Sequence, residues 1–220
     1  MGVYDSSTQS SQNDASPLTF SHTTSLSNRV IFVGVQVAGT PATGVTYGGV
    51  SLSKLTENTV TGDHFSLWGV VDPLLGANNV SIAYGGSTIV RAIAASYGNC
   101  KQTGLPDAVA QNSSTTGTSL SQAITVVDAT SWVVAFGFAI DNNITASTGL
   151  TSRFEESGAD RYLWADSDGA TGAGAYNTTI TFNSSTENSL LLASFAEPVP
   201  TTNHLKFYRR TRFPGNITGA

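Results

Sequence analysis

Apolar and polar residues alternate with a period of two along most of the chain. That is the repeat of a strand with one buried face and one wet face. In residues 79–84, NVSIAY, Val80, Ile82 and Tyr84 fall on one side, and Asn79, Ser81 and Ala83 on the other. Residues 64–71, HFSLWGVV, place Phe65 and Leu67 on one face. Asp72-Pro73 then ends the run, because proline cannot donate to a strand ladder. β-Branched and aromatic runs predict further strands at 29–38, 45–56, 88–97, 120–127, 131–140, 149–154, 160–165, 177–183 and 189–196. Gly48-Gly49 splits the segment 45–56, since a glycine pair accepts the positive φ angles of a tight hairpin. No segment keeps apolar residues at i, i+3, i+4 and i+7 through three turns, so helix should be scarce, with room for one turn at 104–111. About twelve short strands with turn signals every 8–12 residues predict an all-β fold, an antiparallel two-sheet β-sandwich.

A chain of 220 residues fits one large domain or two small ones. We expect a single sandwich over 17–200. Residues 99–118, rich in Gly, Ser, Thr, Asn and Gln, read as a long connection between its halves. Residues 1–16 read as an extended N-terminal arm, and 201–220 as a C-terminal tail. The tail holds Lys206, Arg209, Arg210 and Arg212, interleaved with Phe207, Tyr208 and Phe213. Cations alternating with aromatics suit docking onto an acidic neighbour, so these seven residues are the candidate partner-binding set.

Composition narrows the function. Charged residues make up 11 %, against about 25 % in ordinary globular chains. There are 27 serines, 29 threonines and 22 glycines. A net charge of −5 argues against a nucleic-acid footprint. No apolar run approaches the ~18–20 residues of a membrane span. The start, MGVYDSSTQSSQND, has neither a basic nor an apolar leader region, so no secretion signal is expected. Cys100 is the only cysteine, which excludes an intrachain disulfide and multi-cysteine zinc sites. It should be a partly buried, inert thiol. His22, His64 and His204 lie far apart, so no metal site is expected.

Each remaining chemical motif fails a test. Asp166-Ser167-Asp168-Gly169 has the flavour of a calcium loop, but its twelfth position is Asn177 where a bidentate Glu is needed. Glu155, Glu156 and Asp160 could serve glycoside hydrolysis only if a cleft held two carboxylates roughly 5–10 Å apart. The segment ESGAD reads instead as a turn between strands. Asp63-His64 has no G-x-S-x-G nucleophile elbow to work with. We therefore expect no catalytic residue and no cofactor, and a protein that is not an enzyme. Trp68 and Trp132 sit in apolar runs and should be core. Trp164, beside Tyr162 and two acids, is with it the candidate exposed platform for sugar rings. Six glycosylation sequons occur, at Asn79, Asn112, Asn143, Asn177, Asn183 and Asn216.

Five segments, SHTTSLSNRVIFVGVQV (21–37), VTYGGVSLSKL (45–55), FSLWGVVDPLLGANNVSIAY (65–84), SWVVAFGFA (131–139) and SLLLASFAEP (189–198), carry a resemblance. Together they resemble a β-sandwich module found in uncharacterised phage virion proteins and in bacterial and environmental cell-surface proteins. The resemblance spans residues 18–198. It implies a jelly-roll-like sandwich used for display, adhesion or assembly, with no catalytic signature to transfer. The expected function is that of a structural virion protein, a capsid decoration or tail-surface component assembled in the host cytoplasm. Its partners would be other virion proteins and further copies of itself, not nucleic acid or membrane. The alternative is a carbohydrate-binding or adhesion module that holds surface glycans.

Overall fold

Three runs depart from alternation and are apolar at almost every position: VIFVGVQVA, WVVAFGFAI and SLLLASF. A strand reads that way when both of its faces are covered. The computed structural model, which describes residues 2–140, 144–146, 148–156, 160–183 and 187–198, shows what covers them.

The first half holds β1 (Val3–Ala15), β2 (Leu18–Thr24), β3 (Val30–Ala38), β4 (Ala42–Tyr47), β5 (Val50–Ser51), β6 (Ser53–Val60), β7 (Asp63–Val71), β8 (Gly76–Tyr84) and β9 (Ser87–Gly98). The second holds β10 (Ala108–Ser114), β11 (Ser119–Val126), β12 (Trp132–Ile140), β13 (Ile144–Ala146), β14 (Thr151–Glu155), β15 (Asp160–Asp166), β16 (Gly174–Phe182) and β17 (Asn188–Phe195). No helix occurs among the described residues. The strands make four antiparallel sheets. Two are large, ordered β1-β9-β3-β7-β6 and β10-β17-β12-β15-β14, and two are small, ordered β2-β8-β4-β5 and β11-β16-β13.

The second half repeats the first. In the large sheets β10, β17, β12, β15 and β14 take the places of β1, β9, β3, β7 and β6. In the small sheets β11, β16 and β13 take those of β2, β8 and β4. Register repeats as well: Leu18 faces Ile82 across β2 and β8, and Leu120 faces Ile180 across β11 and β16. The strands GANNVSIAY and GAYNTTITF keep Gly, Ala, Asn and Ile in the same places.

The sheets stack in four layers. Ile31, Val33 and Val35 of β3 pack outward against Val45, Tyr47 and Ile82 of the first small sheet. On the same strand Val30 and Phe32 face the other way, into a central layer with Trp132, Phe136, Trp164 and Phe195. Val133, Ala135 and Leu192 turn from that layer toward Ile124, Ile180 and Phe182 of the second small sheet. The two large sheets meet in a near-twofold way. The β1 edge lies over β14 and β15, where Tyr162 Oη donates to Gln9 Oε1 at 2.6 Å. Its counterpart β10 lies near β6, where Asn58 Nδ2 donates to the Asn112 carbonyl at 3.1 Å.

Four expectations change. The described residues form seventeen strands, not about twelve. The body has four layers, not two, because β3, β12 and β17 bury both of their faces. The stretch 104–111 forms no helical turn: Ala108–Ser114 is drawn into β10 by the open edge of β17. Of residues 1–16, expected as an extended arm, Val3–Ala15 is extended and pairs with β9 along its length.

Close approach of the large sheets makes one glycine indispensable. A Cβ on Gly34 would meet the Phe136 ring at 2.5 Å. Gly34→Ala should therefore lose roughly 1–3 kcal/mol of stability in urea denaturation, the usual range for overpacking. Gly44→Ala, with open space at its Cβ, should be neutral or stabilising by up to about 1 kcal/mol. Equal stability of the two variants would be incompatible with this packing.

Candidate functional site

Asp166 closes β15 inside the central layer, where an isolated carboxylate would be costly. Arg153 of β14 answers it with a two-pronged contact, Nε to Oδ2 and Nη2 to Oδ1, both at 2.8 Å. Tyr97 of β9 donates its hydroxyl to Oδ2 at 2.9 Å and accepts the Trp164 indole N–H at 2.8 Å. The backbone N–H of Asp168 completes the shell at 2.9 Å. Asp168 Oδ1 also accepts from Arg153 Nη2 at 2.5 Å, and the guanidinium lies 5.0 Å over the Tyr4 ring. Hydrogen bonding to Asp166 holds the Arg153 pKa above its ordinary value. Burial, reinforced by the Asp166 charge, pushes the Tyr97 phenol well up, so it remains a donor. Each member is spent on the others, and the network joins Tyr4 and Tyr97 of the first half to the second half. It is a clamp, not a reactive centre.

His22 lies on β2, against β1 and β9. Its ring nitrogens sit 3.0 Å from Thr8 Oγ1 and 3.1 Å from Ser96 Oγ. Ser96 in turn donates to Asp5 Oδ2 at 3.1 Å. The residue types match a Ser-His-Asp triad, but the order does not. The carboxylate orients the serine rather than the histidine, and His22 and Ser96 are buried. Burial lowers the His22 pKa to about 4, with the Asp5 charge opposing.

The other candidates disperse. Trp164 and Tyr162 are 0 % and 2 % exposed, so no sugar platform forms there. The cause is that the first large sheet covers the β15 face carrying them, while the second small sheet covers its other face. Trp68 and Trp132 are core, as expected. Glu155 is exposed at the end of β14, and Glu156 follows it with its N–H on the Tyr162 carbonyl at 3.0 Å. The Asp160 side chain lies outside the described residues. Asp63 accepts from Gln36 Nε2 at 2.9 Å, while His64 Nδ1 lies 3.1 Å from Thr59 Oγ1, so the two do not act as a pair. Lys206, Phe207, Tyr208, Arg209, Arg210, Arg212 and Phe213 all fall outside the described residues, as does His204. No three His, Cys, Asp or Glu side chains gather as a metal site among the described residues.

Two surfaces remain, and neither was singled out from the sequence. The first is a groove of about 550 Å³ on the outer face of the first small sheet. The Gly48-Gly49 turn, Thr19, Thr46, Asn78, Asn79 and Ser81 line it. Its signal was present in the polar side of NVSIAY and in the glycine pair. The second is one end of the stack. The large apolar residues exposed among the described ones are Val3, Val50, Leu74, Leu75, Val109 and Val127, at 42 to 70 %. Register places them all at the same end. Val3 pairs with Gly98 at the close of β9, Leu74 and Leu75 follow β7, and Val50 follows the β4 turn. Val109 opens β10 opposite Ala193 near the close of β17, and Val127 follows β11. Residue 198, where the described chain ends, leaves from this end too, since Glu197 N–H meets the Thr130 carbonyl at 3.4 Å. Comparison with family models, curated proteins and solved structures finds no match to the chain.

Two outcomes test these assignments. Burial, with Glu197 nearby, pushes the Cys100 thiol up to about 12. Native protein should therefore resist iodoacetamide at pH 8 and react once unfolded, as mass spectrometry would record. The folded His22 refuses a proton that the unfolded chain accepts at its ordinary value of 6.5. Its stability contribution is whole above about pH 6.5 and is lost as pH falls toward 4, a change on the order of 3 kcal/mol. Urea midpoints between pH 7 and 4 should fall less steeply for His22→Gln than for the parent. Identical slopes would refute the buried neutral imidazole.

Proposed function

We propose that the protein is a structural virion protein, a capsid decoration or tail-surface component that works through assembly contacts. The observation that carries this reading is the polarity of the exposed apolar residues. Scattered apolar residues are ordinary on a surface, but here the exposed large apolar residues among the described ones all lie at one end, spread across the four layers, and we read that end as a contact face. Here they share the end from which the chain continues toward Lys206–Phe213. Arginine–carboxylate pairing by Arg209, Arg210 and Arg212, with Phe207 and Tyr208 burying on the partner, suits a joint to an acidic partner or to another copy.

The stacked body suits the same role. We read each half as a jelly roll. Support comes from the order β1-β9-β3-β7 facing β2-β8-β4, repeated as β10-β17-β12-β15 facing β11-β16-β13. A body with three apolar layers and clamped polar groups is stiff, which suits a load-carrying or display unit.

Two changes test the joint without touching the core: deletion of 203–220, and the pair Leu75→Glu with Val127→Glu. Both should keep the parent melting temperature and abolish incorporation into particles, measured as copy number in purified virions. Particles carrying either variant at parental copy number would rule out the attachment end. A parent chain missing from particles would rule out the virion role itself.

A further inference from the structure

The outer face of the first small sheet carries hydroxyls and amides in rows and no charge. Thr19 of β2, Ser81 of β8, Thr46 of β4 and Ser51 of β5 stand opposite one another in one cross-strand row. In the next row Ser21 faces Asn79. Neighbouring strands lie about 4.8 Å apart, so each row offers donors and acceptors at a regular pitch. The second half repeats the chemistry: Ser121 faces Thr179, their hydroxyls 2.9 Å apart, and Asn177 takes the place of Asn79. In the first half these rows run into the groove closed by Gly48-Gly49. Both glycines have positive φ, 55° and 83°. The Leu74 side chain packs against Gly48, but the space at the Gly49 Cβ position is open, so a ligand can approach the turn's backbone there.

A site without charge discriminates against ionic ligands, because nothing there offsets the desolvation of an ion. It suits a ligand that is itself a dense array of neutral hydroxyls. The volume, about 550 Å³, lies within the usual size of small-ligand sites. We propose that this groove binds a neutral oligosaccharide, with Thr19, Thr46, Asn79 and Ser81 exchanging hydrogen bonds with sugar hydroxyls. The inference is separable from the assembly role: the hydrogen-bonding rows lie on the side of the stack, and only the closing turn borders the apolar end, at Val50 and Leu74.

The test uses the full chain labelled with nitrogen-15. Maltotetraose, cellotetraose, mannotetraose and chitotetraose serve as neutral probes, and a heparin tetrasaccharide as the anionic one. At least one neutral probe should shift the amide signals of Asn78, Asn79 and Thr46. Thr19→Arg, which fills the groove from an exposed position, should weaken that binding at least about tenfold. Asn79→Ala should weaken it as well, with both variants melting like the parent. The proposal fails if no neutral probe shifts these signals, if only the heparin probe does, or if Thr19→Arg binds as tightly as the parent.

Discussion

The large sheets can stack only if the layer between them stays dry, and one carboxylate sits within it. Asp166 is tolerated there because Arg153, Tyr97 and the Asp168 N–H saturate its oxygens. Removing one partner of such a group leaves the other buried and unpaired, which costs far more than the pair contributes. The clamp therefore fixes how the halves sit. Phe32, Phe136, Trp164 and Phe195 then fill the space between them. With both faces of the inner strands β3, β12 and β17 consumed, water meets the outer faces of the small sheets, the outer strands β1, β6 and β14 of the large ones, and the two ends of the stack. Interaction chemistry has to be placed there, and that is where the groove and the apolar end lie.

The arrangement resembles a symmetric dimer held within one chain. An isologous interface brings the same surface patch from both sides, so that each contact recurs with its roles exchanged. Here β1 meets the β14 edge, and β10, the counterpart of β1, meets β6, the counterpart of β14. The chemistry of the two joints has diverged. One carries the Arg153–Asp166 pair, and the other carries amide and hydroxyl bonds of Asn58 to Asn112 and Ser189. Holding both halves in one chain lets each specialise, which fits a groove on the first small sheet alone.

Much of the fold was legible in the sequence. Alternation located most strands, but the expected two-sheet sandwich gave each strand one wet face, although the continuous apolar runs of β3, β12 and β17 carry the signal of strands covered on both faces. What they lay between was not legible, because layer order depends on pairings between distant segments. Trp164 shows the difficulty. Its acidic neighbours suggested a wet surface, yet Asp166 is drawn inward by Arg153, and nothing local announces that partner. Likewise β10 looks like a connector by composition and becomes a strand because β17 offers an open edge. The repeat of GANNVSIAY in GAYNTTITF was readable and points directly to two equivalent halves. The groove and the apolar end needed the fold, since both join residues from several strands.

The central claim is that the dry layer makes the two halves one cooperative body. Calorimetric unfolding tests it most directly, combined with tryptophan fluorescence from Trp132 and Trp164 in that layer and circular dichroism of the whole. A single transition is expected, with coincident probes and equal calorimetric and van't Hoff enthalpies. Two separated transitions, each carrying about half of the enthalpy, would mean that the halves are merely tethered and would contradict the account.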